Sequence, residues 1–178
     1  MHSAVLQFWF EELSPAQWWK VDPALDRLIV ERFGDIHARA NRCELFAWRD
    51  EPAGRLAEII VLDQFSRQIH RGTPSAFASD PLALALAQHA VALGVDRTLP
   101  QVQRNFLYMP WMHSESKRIH EIAESLFKAR ASAETHDFEL RHKVIIDRFD
   151  RYPHRNAILG RQSTAQELAF LQQPGSSF

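Results

Sequence analysis

Ser14-Pro15, Asp22-Pro23 and Asp80-Pro81 each place a short side-chain acceptor directly before a proline. That pair is a helix start. The first residue caps exposed N–H groups, and proline takes the first helical position, where its missing N–H does no harm. Helical spacing follows each time: Leu25, Ile29, Phe33, Ile36, Ala40 and Cys43 recur along one face. Cys43 thereby reads as core. The stretch "LALALA" alternates with period two, but alanine is the best helix former and a poor strand former, so it reads as helix over 81–93 with Gly94 ending it.

Further helices are predicted over 4–12, 54–71, 100–109, 116–131 and 136–150. A Thr164-x-x-Glu167 capping box opens a short last one. In 116–131 the apolar face is Ile119, Ile122, Ala123, Leu126 and Phe127, with Lys117–Glu121 and Glu124–Lys128 as opposite-charge pairs outside. The closing "QPGSSF" reads as loose. No strand, linker or charge block appears, so the expectation is one all-α domain over 1–178. Short connections make neighbouring helices antiparallel.

Composition removes several classes. The six glycines never come closer than fifteen residues, which excludes a dinucleotide fingerprint and a P-loop. No nucleophile elbow or zinc helix occurs, and no spacing supports a metal or calls for a cofactor. A net charge of −1 provides no field for nucleic acid or an anionic membrane. The single cysteine points to a reducing cytoplasm, and residues 81–95 are too short to span a bilayer.

Three segments carry ionisable groups on apolar ground. In "EIIVLDQFSRQIHRG" a regular wheel puts Asp63, Arg67 and His70 in one sector of a helix that is apolar nearly all round. In "RNFLYMPWMHSE" Pro110 is expected to break or kink the helix, leaving His113, Ser114 as an N-cap, and Glu115 at the next helix start. In "RHKVIIDRFDRYPHRNAILGR" His142 shares a face with Phe138, Ile145, Ile146 and Phe149, and Asp147 pairs with Lys143 or Arg151. His154, Arg155 and Asn156 then fall in a loop. Arg67, Arg71, Arg155 and Arg161 offer planar forks for a carboxylate or phosphate.

"LDQFSRQIHRGTP", "FLYMPWMHSE" and "RFDRYPHRNAILGR" resemble the bacterial family catalogued as domain of unknown function 924, from "VLQFWFEEL" almost to the C-terminus. The resemblance implies antiparallel helical hairpins in a tetratricopeptide-like, right-handed superhelical array, and brings no established activity. It maps the family's polar motifs onto Asp63, Gln64, Arg67, His70, Arg71, His113, Glu115, His154, Arg155, Asn156 and Arg161. Gln68 stands where Asn is usual, and Asp150 where Gly is usual.

These residues support a domain that binds a small anionic or polar molecule against Arg and His groups. One alternative is a hydrolase pairing His113 with Glu115 or Asp63, or His154 with a neighbouring acid. Another is a protein-interaction module, with Trp18, Trp19 or Trp48 as anchors in an exposed groove.

Overall fold

The computed structural model describes residues 1–177, and every regular element among them is helical. They form two compact units. The first holds Met1–Arg71 and Ser75–Pro110; the second holds Gly72–Pro74 and the chain from Trp111 onward. No described helix is long and apolar enough to cross a membrane.

In the first unit, α1 (His2–Gln7) runs into a π-helical turn at Phe8–Glu12, and α2 (Pro15–Trp19) opens with a Ser14/Gln17 capping box. α3 (Pro23–Asn41) starts as expected: Asp22 Oδ1 accepts from Ala24 N–H at 2.9 Å and Leu25 N–H at 3.3 Å. Its inward stripe is Leu25, Ile29, Phe33, His37 and Ala40, with His37 rather than Ile36 fully buried. Cys43 is not core. The helix ends at Asn41, and Cys43 is exposed at φ 59° in the reversal that follows.

α4 (Pro52–Ile60) begins at a close approach: a Cβ on Gly54 would lie 2.0 Å from the Trp48 carbonyl oxygen. It continues through a second π-helical turn, Val61–Phe65, into α5 (Ser66–Ile69). The predicted 54–71 helix is therefore interrupted. A π turn advances less per residue than an α-helix and shifts the wheel there, yet Asp63 and Arg67 still meet as an i,i+4 pair at 3.2 Å. The two π turns pack together, Phe8 and Trp9 each meeting Phe65 edge-on. α6 (Asp80–Ala92) buries Ala83, Ala87 and Ala90 and ends at Gly94, φ 70°. Its N-cap position is Ser79, one residue earlier than expected.

α7 (Gln101–Met112) continues through Pro110, so the helix does not break there. The proline lies in the last turn, where one backbone bond is forfeited instead of a ladder. In the second unit, α8 (Lys117–Arg130) and α9 (Ala133–Phe149) reverse at Ala131-Ser132, and Lys117 meets Asp150 at 2.8 Å. The inward stripe of α8 is His120, Ala123 and Phe127, while Ile122 is exposed. Its observed ion pairs are Arg118–Glu121 and Glu124–Lys143, not the two predicted. On α9, His142, Ile145 and Ile146 point inward, Lys143 pairs with Asp147 at 2.6 Å as expected, and Phe138 is exposed. Tyr152, Phe149 and Phe170 complete this core. α10 (Ala165–Leu171) opens with the predicted Thr164/Glu167 box. In the tail, Ser176 is buried and donates to Leu171 O; Phe178 lies outside the described residues.

Candidate functional site

The end of α7 exposes carbonyls that no helical N–H can reach. Side chains satisfy three in succession, two of them from far along the sequence. Tyr152 Oη donates to Met112 O at 2.5 Å, Arg155 Nη2 to His113 O at 3.1 Å, and His120 Nε2 to Ser114 O at 2.8 Å. Cationic donors suit this end of the helix dipole. Ser114 is not the N-cap of α8: Ser116 holds that position, and Ser114 Oγ accepts from Ser116 N–H.

Glu115 fixes the same loop from its side chain. Arg161 donates to both its oxygens, at 2.6 and 2.9 Å, and Tyr152 N–H donates to Oε1 at 2.7 Å. Burial disfavours the charge, but those bonds and the charges of Arg155 and Arg161 outweigh it, holding the carboxyl below its ordinary range. Arg161 also donates to Asn156 Oδ1, and Asn156 Nδ2 to Ser163 Oγ. Nearby, Arg151 grips Glu167 at 2.6 and 2.8 Å and lowers its pKa to about 2.

Tyr152, wholly buried, is the hub. Around its ring lie Arg155 at 4.7 Å, His154 at 5.7 Å, His142 at 5.8 Å and His120 at 6.4 Å. His142 Nδ1 donates to Phe138 O, and burial lowers its pKa to about 3, helped by His113, His120 and His154. His113 and His154 are half-buried.

The His120–Glu139 pair is wholly buried, with Nδ1 and Oε1 2.7 Å apart. A carbonyl can only accept, so Nε2 carries its hydrogen toward Ser114 O. The Nδ1–Oε1 contact therefore holds one proton, on either atom. Burial raises the Glu139 pKa, against the pull of His120.

In the first unit, Arg67 lies between two carboxylates: Asp63 at 3.2 Å and Asp80 in a fork at 3.0 and 3.1 Å. Gln64 Nε2 donates to Asp63 Oδ2 at 2.6 Å. Arg71 forks onto Asp26. His70 stands 5.2 Å from His37, whose pKa burial lowers to about 4. His37 Nε2 accepts from Asn41 and lies 2.8 Å from the buried Ser66 Oγ.

The predicted residues thus fall into two groups: Asp63, Gln64, Arg67, His70 and Arg71 in the first unit, and His113, Glu115, His154, Arg155, Asn156 and Arg161 in the second. Three of the four expected anion forks, at Arg67, Arg71 and Arg161, already hold carboxylates. Sequence reasoning missed Tyr152, His120 and Glu139 in the second cluster, and His37 and Ser66 in the first. His120 and His37 sit three or four residues from apolar positions that carried the helix faces, which was the available signal. No set of three or more His, Cys, Asp or Glu among the described residues is arranged for a metal. A hollow of about 330 Å³ lies elsewhere, in the first unit, floored by Phe8, Leu13, Leu25 and Leu28.

An all-helical chain with polar clusters at helix ends is a broad class. Its membership is narrow: the chain belongs to the family described as bacterial protein of unknown function (DUF924), whose model matches residues 5–175. It is similar to the solved structure of a protein of unknown function, ATU0120, from Agrobacterium tumefaciens, with 35% identity, 96% of each chain covered and a TM-score of 0.89. No relative among the curated proteins matches.

Proposed function

We propose that the second unit binds a small anionic or polar molecule at the half-buried His113 and His154, beside Arg155. The carrying observation is the gathering of His120, His142, His154 and Arg155 around the Tyr152 ring, with His113 close by, while Arg161 already neutralises Glu115. Imidazole and guanidinium donors suit carboxylate or phosphate oxygens. The loop is held by Tyr152, Arg155, His120 and Arg161, which favours a preformed site. Binding fits better than hydrolysis, because the His–carboxylate pair in this unit is sealed from solvent and Glu115 is committed to Arg161.

The test is a thermal-shift series with inorganic phosphate, acetate and nucleoside monophosphates. A true ligand at a hundredfold excess over its Kd stabilises by about 2.7 kcal/mol. The shift is expected to vanish in a His113→Gln/His154→Gln variant. No shift with any anion, or a shift that survives the double substitution, refutes the reading.

One observation favours a second reading, as a protein-interaction module. Trp19 is 63% exposed, its ring stacked flat on Phe106 with an interplanar angle of 5°, and Val21 is 64% exposed. Trp48 is buried and Trp18 half-buried, which leaves Trp19 as the anchor. The tetratricopeptide-like array implied by the family resemblance would suit this role. Panning a displayed peptide library should enrich sequences that lose binding to a Trp19→Ser variant; enrichment indifferent to that change sinks it.

A further inference from the structure

We infer that the His120–Glu139 pair is a proton-operated latch on residues 112–116: closed with one shared proton, it opens on taking up a second, while the core of the second unit stays folded. The geometry fixes the proton inventory. His120 Nε2 is committed to Ser114 O, and its Nδ1 faces Glu139 Oε1 at 2.7 Å. A second proton has one place to go, Glu139 Oε2, which is buried and has no hydrogen-bond partner. Glu139 would then be a neutral acid, and His120 an imidazolium with no counter-charge in a site closed to water. A buried charge stripped of its partner is expelled or neutralised.

The surrounding charges push the same way. Lys143 on α9 and Glu124 on α8 act on Glu139, while His142 on α9 and the Tyr152 ring lie beside His120. Lys143 opposes an added positive charge at Glu139. Burial already favours the protonated acid at Glu139. When His120 leaves, Ser114 loses its donor and Tyr152 Oη loses its 3.2 Å contact with Nε2. The same loop carries Glu115, whose carboxyl is held below its ordinary range and so keeps its bonds to Arg161 and Tyr152 N–H down to about pH 5. The latch goes beyond the ligand reading, since it would operate whether or not His113 binds an anion.

Hydrogen exchange on the full chain tests it, comparing about pH 7 with about pH 5 after correction for intrinsic exchange chemistry. The expected result is a loss of protection in residues 112–121 about tenfold or more beyond the loss that the buried His37 and His142 impose on α3 and the Ile145-Ile146 core. Glu139→Gln keeps a hydrogen bond to His120 but removes the carboxyl that takes the second proton, so the pH dependence of its protection should differ from wild type. If that variant does not fold, carbon-13 titration of the wild-type Glu139 carboxyl should share its midpoint with the Ser116 amide shift. Constant protection in 112–121, a loss no larger than that of the α9 core, the same loss in Glu139→Gln, or unlinked midpoints would each overturn the latch.

Discussion

Asp150 adopts φ 59° just past α9, the left-handed conformation that glycine enters without strain. This accounts for the glycine expected there from the family resemblance. Asp150→Gly should raise stability by about 0.5–1 kcal/mol, because the Lys117 pair it gives up is exposed and worth little; a urea midpoint that falls would contradict this. Gly54 is the opposite case. A methyl group there meets backbone oxygen at 2.0 Å, so Gly54→Ala should destabilise by about 1–3 kcal/mol and loosen the 45–50 turn, seen as a lower midpoint and faster amide exchange in that turn. Glu115→Gln removes the counter-charge of Arg161 and should cost about 2 kcal/mol at neutral pH. Because the native carboxyl titrates below its unfolded value, that loss should shrink as pH falls through the carboxylate range.

At the scale of elements, helix starts were the most legible feature. Asp22, Ser14 and Thr164 cap as their sequences require. Thr164→Ala should therefore cost about 1 kcal/mol, by loss of the Oγ1 acceptor for Glu167 N–H; a thermal melt unchanged from wild type would argue that Arg151 alone holds Glu167. Where the sequence misled, a distant partner had taken the residue. Asp80 reads as a cap, yet its carboxylate goes to Arg67 and Ser79 takes the cap position. Pro110 reads as a break, but it falls within the last turn of α7. The π turn at Val61–Phe65 left no mark in the apolar pattern, because residues on every side of that segment are buried.

For the whole molecule, each unit keeps a histidine neutral by burial, His37 in the first and His142 in the second. Their folded pKa values lie below the unfolded 6.5, so between those limits the unfolded chain binds the extra protons. Stability should hold above about pH 6.5 and fall below it, by about 1.4 kcal/mol per pH unit for each group until its folded pKa is reached. Denaturant titrations from neutral to acidic pH would show the slope, and His142→Leu should flatten the share belonging to the second unit. Segments bearing the second cluster could be picked out in the sequence because their ionisable residues stand out against apolar ground. Their hub could not: Tyr152 reads as one more aromatic, and His120 and Glu139 as positions on two unrelated helices. The carbonyls at the end of α7 wait for donors some forty residues downstream. As the chain is synthesised, that terminus must remain frayed until Tyr152 and Arg155 emerge, so nascent or truncated chains ending before them should be nicked by protease between Met112 and Ser116.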